Sequence, residues 1–134
     1  MNDSVKKYSI LLVDDDRFLL DMYSTKFLQA GFDVESCQST SEALTTLRGG
    51  MKPVAVLFDI VMPGEDGFAL LRAIKEEHLA QGAALIALTN QSNDSDKTEA
   101  DKLGVTRYVI KASMIPSEVL EMAKEEIAKA PKHP

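Results

Sequence analysis

Cysteine is nearly absent from this chain. Cys37 is the only one, so no internal disulfide can form, and neither a C-x-x-C redox pair nor a cysteine-rich zinc site is available. Cys37 itself reads as a small buried hydrophobe. Basic residues are also outnumbered: 15 Lys plus Arg stand against 21 Asp plus Glu, a formal charge of −6, with no cluster of positive charge. That balance gives no electrostatic footprint for DNA or RNA, so direct nucleic-acid binding is not expected. Long apolar runs are missing as well. Runs such as 10–13 and 83–88 fall far short of the roughly 18 to 20 residues a membrane span requires. The opening MNDSVKKYS carries two lysines but no apolar stretch and no small-residue cleavage site, so cytoplasmic residence is expected. No G-x-x-x-x-G-K-[ST] and no G-x-G-x-x-G occurs, which removes the usual phosphate loops of nucleotide and dinucleotide binders.

What remains is enough for one domain. The 134 residues are 45% apolar, sufficient for a core without disulfides or a structural metal. Residues 1–130 are expected to form it, with 131–134, which include Pro131 and Pro134, as a disordered tail or linker stub. The body alternates between short apolar runs and stretches of helical period. Residues 10–13, 32–37, 54–58, 83–88 and 105–110 read as strands. Between and after them come helical stretches over 17–30, with Gly31 as stop, over 39–48, opened by a capping pattern of Ser39 and Glu42, over the segment carrying Phe68, Leu71 and Ile74, over 92–103, and over 119–129 with Pro116 near its first turn. This is an α/β chain of (βα)₅ type. Short connections demand a doubly wound parallel sheet, for which the flavodoxin-like strand order 2-1-3-4-5 is the common solution. Ligands in such sheets bind beyond the carboxyl ends of the strands, at the switch between the first and third.

Those ends carry chemistry. Asp14, Asp15 and Asp16 follow the first strand, Asp59 ends the third, Thr89 the fourth and Lys111 the fifth. With the first and third strands adjacent, the carboxylates of Asp14, Asp15 and Asp59 converge. Two carboxylates 4 Å apart repel by about 4 kcal/mol at an effective dielectric near 20. A divalent cation relieves that repulsion, and an oxygen-only, shallow site suits Mg²⁺. Metal, the Lys111 ammonium and the Thr89 hydroxyl together cradle a group of about two negative charges, a phosphoryl group, with Asp59 placed to act as nucleophile.

The runs Ile10-Leu11-Leu12-Val13-Asp14-Asp15-Asp16, Leu57-Phe58-Asp59-Ile60-Val61-Met62-Pro63-Gly64-Glu65-Asp66-Gly67, Ala87-Leu88-Thr89 and Tyr108-Val109-Ile110-Lys111 closely resemble the receiver domain of two-component response regulators. The D-x-x-M-P-x-x-D-G run is the specific part. The resemblance implies a phosphoprotein of phosphorelay signalling, in which Asp59 accepts a phosphoryl group from a histidine kinase or phosphotransfer protein. It implies Mg²⁺ on Asp15, Asp59 and the backbone carbonyl of Val61, with Asp14 acting through water. Thr89 and Lys111 would bind phosphoryl oxygens, and Thr89 with Tyr108 would form the switch that alters affinity for a downstream effector, with phosphorylation-dependent dimerisation as a compatible outcome. Such a protein modifies itself and is not a turnover enzyme on external substrates.

Two departures stand out. The family usually has Pro after the active lysine, whereas Ala112 follows Lys111, so that bond is expected to be either trans or strained, a non-proline cis bond costing about 2.5 to 4 kcal/mol. Position 90 is usually small but here is Asn90, which with Val61 and Gln91 is expected to slow access and lengthen the life of the aspartyl phosphate. A pseudo-receiver that binds partners without being phosphorylated is one alternative. A haloacid-dehalogenase-like phosphatase is another, although that class places its D-x-D nucleophile after the first strand and usually carries a cap, neither of which fits the D-x-x-M-P-x-x-D-G loop after the third strand. The polar stretch 91–103 offers only Ala100 and Leu103 as anchors and is expected to have low local stability. Tyr108 by itself reads as an edge residue with its hydroxyl in water, and His78 as a helix-surface residue.

Overall fold

The structure is a computed structural model that describes residues 8–90 and 93–130. The expected tail at 131–134, together with Gln91 and Ser92, lies outside the described residues. Five parallel strands, β1 (Ser9–Val13), β2 (Asp33–Cys37), β3 (Ala55–Asp59), β4 (Ala84–Thr89) and β5 (Arg107–Ile110), form one sheet in the order β2-β1-β3-β4-β5. Between and after them run α1 (Arg17–Gln29), α2 (Thr40–Arg48), α3 (Gly67–Glu76), α4 (Asp94–Lys102) and α5 (Pro116–Lys129), with one 3-10 turn at Lys111–Ser113. Fold class and strand order are those expected.

Strand residues alternate between the two faces because the side-chain period is two. On one face Leu11, Val13, Val56, Phe58 and Ala87 pack with Leu44, Leu47, Leu70, Leu71 and Ile74 of α2 and α3. On the other, Ile10, Leu12, Leu57, Ile86, Leu88 and Val109 pack with Leu20, Tyr23 and Phe27 of α1 and Val119 and Met122 of α5. Both faces are covered, which is why the central strands read as continuous apolar runs. Edge strand β2 is different: of its five residues only Cys37 is buried.

Register sets the level of the site. Val13 pairs with Phe58 across β1 and β3, so Asp14 and Asp59 emerge side by side. Asp59 pairs with Leu88 and Thr89 with Ile110, which puts Thr89 one step and Lys111 two steps further along the same edge.

Helix ends explain most shifts from the expected boundaries. Helix α5 begins three residues before 119, at Pro116, whose fixed φ suits the first helical position. Glu118 accepts the Ile115 N–H there at 3.0 Å. In α4 the cap is Asn93, which accepts the Asp96 N–H at 3.1 Å, and Ala100 is the one buried residue of that helix. No described peptide bond is cis, so the Lys111–Ala112 bond is trans. His78 is not on a helix surface; it lies just past the end of α3 with a φ of 56° and is exposed.

Candidate functional site

The three consecutive aspartates have three separate tasks. Asp16 caps α1, its Oδ1 accepting the Leu19 N–H at 3.2 Å, the ordinary use of Asp at that position. Asp14 is buried; its own N–H continues the sheet by donating to the Cys37 carbonyl at 3.0 Å, and its Oδ1 accepts the Asp16 N–H at 2.9 Å. Asp15, held between them, is exposed.

Asp59, 3% exposed, closes β3. Its Oδ1 accepts the Val61 N–H at 3.2 Å, and its Oδ2 accepts from Lys111 Nζ at 3.0 Å. The same Nζ lies 2.7 Å from Asp14 Oδ2. That approach is an ion pair outside hydrogen-bond geometry, so the buried Asp14 Oδ2 keeps unused acceptor capacity. Burial pushes the Asp59 carboxyl above its ordinary range, against the opposing pull of Lys111 and the Val61 N–H, while Asp14 adds to the rise. For Lys111, burial works to lower the ammonium's pKa, but the close contacts and negative charges of Asp14 and Asp59 outweigh it and the net direction is up.

Asp14, Asp15 and Asp59 each offer one oxygen within 4.8 Å of the others, the one such acidic group among the described residues. At an effective dielectric near 20, each pair at that separation repels by about 3 to 4 kcal/mol. Lys111 neutralises one charge of three. The remaining negative charge, the oxygen-only donors and the unused capacity of Asp14 Oδ2 fit a hard divalent cation such as Mg²⁺. Adding Mg²⁺ at ten times its Kd is therefore expected to stabilise the protein by about 1.4 kcal/mol, a rise in Tm of roughly 4 to 7 °C. Thermal melts with Mg²⁺ and with EDTA check this, and an Asp15→Asn variant should lose most of the increment.

Thr89 is buried at the end of β4. Tyr108 departs from its expected place: its ring packs against the core on the α2–α3 face and its hydroxyl is buried, not in water. Burial raises its pKa, the charge of Asp96 adds to the rise, and Thr89 is close enough to pull the other way, although the hydroxyl makes no bond of full hydrogen-bond geometry. Helix α4 contributes only Ala100 as a buried apolar residue, to the same core against which Tyr108 packs. Val61 is 70% exposed beside Asp59; Phe18, 72% exposed, opens α1, and Ile115, 61% exposed, precedes α5. All three lie in the segments that follow β1, β3 and β5 at the carboxyl edge of the sheet.

Two contributors were missed by sequence reasoning. Gly67 starts α3 against the backbone of Asp59, and its place in the D-x-x-M-P-x-x-D-G run was the available signal. Thr40 bonds the same loop from α2, and a threonine inside a capping pattern gives no such signal.

An acidic pocket with a bridging lysine at the switch of a doubly wound parallel sheet defines a class of phosphoacceptor-type domain. The family described as "Response regulator receiver domain" matches residues 10–124. The chain belongs to that family, whose members are phosphorylation-dependent signalling modules of two-component systems. It is 33% identical over 122 residues to the transcriptional regulatory protein GltR of Pseudomonas aeruginosa, covering 91% of this chain and 50% of that protein. It is 30% identical to the regulatory protein VanRc of Enterococcus gallinarum, covering 88% of this chain and 49% of that protein. The chain thus spans about half the length of these curated relatives. Among solved structures, the CheY-like receiver domain protein of Methanospirillum hungatei superimposes with a TM-score of 0.83 at 27% identity, over 92% of this chain and 96% of that one.

Proposed function

We propose that Asp59 is the phosphoacceptor and that the donor is a phosphohistidine on a histidine kinase or phosphotransfer protein. An oxygen of the ionised Asp59 attacks phosphorus, the P–N bond to the donor imidazole breaks, and the imidazole leaves with that bond's electron pair and takes up a proton. Asp15, Asp59 and the Val61 carbonyl would hold Mg²⁺, with Asp14 acting through water. Bound there, the ion supplies positive charge to the phosphoryl oxygens. Lys111 is already aimed at Asp59 and would pair with one such oxygen. Thr89 would bond another, drawing on the buried Tyr108 beside it and so changing the surface offered to a downstream effector protein or domain.

The single observation carrying this reading is the Lys111 ammonium bridging Asp14 and Asp59 at 2.7 and 3.0 Å inside a cluster of three acids. It also weakens the alternative of a silent interaction module. Ala112 does not prevent the lysine from reaching its partners, because a trans bond followed by the 3-10 turn accommodates it. The exposed apolar side chains of Phe18, Val61 and Ile115, in the segments after β1, β3 and β5, support docking of a macromolecular donor at this edge of the sheet. Self-modification rather than turnover of an external substrate, cytoplasmic residence, and output through a partner rather than direct nucleic-acid contact complete the proposal.

Intact-mass analysis with Mg²⁺ and acetyl phosphate tests it. Wild type is expected to gain one phosphoryl group that is lost on mild alkaline treatment, and Asp59→Asn to gain none. An unchanged wild-type mass, or equal labelling of the variant, would refute the assignment.

A further inference from the structure

The loop 60–66 joins the acceptor strand to α3 and carries Val61. Its near end is held by the sheet: Ile60 is buried, and the Val61 N–H donates to Asp59 Oδ1 at 3.2 Å. Its far end is Asp66, the cap of α3, whose Oδ1 accepts the Ala69 N–H at 3.0 Å. The next residue, Gly67, donates its N–H to the Ile60 carbonyl at 2.9 Å and sits against the Asp59 backbone with no room for a Cβ. One further contact arrives from another helix. The hydroxyl of Thr40, 26 residues away in sequence, donates to the Asp66 carbonyl at 3.0 Å.

Helix formation does not explain this bond. The cap of α2 is Ser39, whose Oγ already accepts the Glu42 N–H at 3.1 Å, while the Asp66 carbonyl already accepts the Leu70 N–H at 3.3 Å. Thr40 is nonetheless 1% exposed, and a hydroxyl so buried is kept only where it is bonded. What the bond adds is a tie between α2 and the far end of the acceptor loop. From Thr40 the contacts run through Asp66 and Gly67 to the backbone of Asp59 without a gap.

We infer that Thr40 is a positioning residue for phosphoryl acceptance: its hydroxyl clamps Asp66 and thereby holds the Asp59–Val61 segment in the geometry that binds cation and meets the donor. The inference rests on Asp59 being the acceptor and names a residue outside the pocket that tunes it. In Thr40→Val a methyl replaces the hydroxyl. Carbon cannot approach the carbonyl oxygen as closely as a bonded hydroxyl, so the loop must give by a few tenths of an ångström. Sub-ångström displacement of a reacting group is enough to slow a reaction several-fold.

The test compares wild type, Thr40→Val and Thr40→Ser in three measurements: Mg²⁺ affinity, the rate of labelling by acetyl phosphate, and amide hydrogen exchange over 61–67 in metal-free protein. Thr40→Val is expected to weaken Mg²⁺ binding and slow labelling by about 3- to 10-fold and to speed exchange at Val61 and Gly67, while Thr40→Ser returns all three to within about 2-fold of wild type. Should the valine variant fold poorly, Thr40→Ala, which removes the hydroxyl without adding bulk, carries the comparison. Wild-type behaviour of the variant without a hydroxyl, or equal damage in the serine and valine variants, would overturn the clamp. If wild type takes no label, the acceptor assignment fails, and the exchange measurement still decides whether Thr40 holds the loop.

Discussion

Gly67→Ala is expected to lower stability by about 3 kcal/mol, at the upper end of the usual range for overpacking, and to impair Mg²⁺ binding with it. A Cβ at this position would lie 2.5 Å from the Asp59 carbonyl oxygen, 2.9 Å from Ile60 Cα and 3.1 Å from Phe58 Cδ2. Two of these are backbone atoms, and the third belongs to a fully buried ring in a central strand. Nothing there can move as a flexible side-chain tip would, so either α3 shifts outward or the Asp59–Ile60 peptide tilts. The second adjustment turns the Asp59 carboxylate away from Asp14 and Lys111. Gly64→Ala separates the two effects. It has a φ of +78° but open space around its Cβ, so it should cost only about 1 kcal/mol of backbone strain and leave cation affinity near wild type. Urea denaturation in EDTA and Mg²⁺ titration of both variants give the answer. A Gly67→Ala protein as stable as wild type would show that the close approach in this loop is not as rigid as described.

Lys111→Ala should lower metal-free stability at neutral pH by about 2 to 3 kcal/mol, a fall in Tm of roughly 8 to 12 °C. The side chain is 6% exposed and its Nζ touches carboxylates that are 3% and 4% exposed. Removing it leaves three acids in contact with no counter-charge, and breaking a buried pair from one side costs about 3 to 5 kcal/mol when relief is unavailable. Relief is partial here, since Asp15 is exposed and Asp59 can take up a proton. The sign of the pH dependence follows. Asp59 already has a raised pKa, so its ionisation opposes folding: its contribution to stability is full below the unfolded carboxyl pKa and is lost as pH rises through the folded value. Without Lys111 the folded value moves further up. The deficit of Lys111→Ala should therefore be small in acid and grow toward neutral pH, and Mg²⁺ should restore more stability to it than to wild type. Asp59→Asn is expected to behave oppositely, losing no metal-free stability because it removes a repelled charge. A Lys111→Ala protein that melts with wild type in EDTA at pH 7 would contradict the electrostatic account of the pocket.

Much of the molecule was legible in one dimension because its strands are buried on both faces. The run 10–13 and the segment 54–58 carry no polar residue, and such runs flanked by helical periods admit few folds. Site residues were legible for a related reason: Asp14, Asp59, Thr89 and Lys111 interrupt those runs at their carboxyl ends, where parallel strands place ligands. Asp16 was less transparent, since a helix cap and a cation ligand use the same carboxylate. Only its bond to Leu19 separates the two uses. The placement of Tyr108 was not legible, because whether its hydroxyl meets water depends on what α4 places over it, and α4 has almost no apolar pattern to read.

By itself, then, the sequence determined the (βα)₅ alternation, the impossibility of an internal disulfide, and the identity of the acidic, hydroxyl and ammonium groups. These follow from periodicity and from polar residues ending apolar runs, which are properties of neighbours along the chain. Tertiary structure decided the strand order, which oxygen meets the lysine, that Lys111 reaches Asp14 and Asp59 through a trans bond, that Gly67 leaves no space against Asp59, and that Thr40 bonds the loop 60–66 from another helix. Each of those is a contact between residues far apart in sequence, and close packing fixes such distances to a few tenths of an ångström.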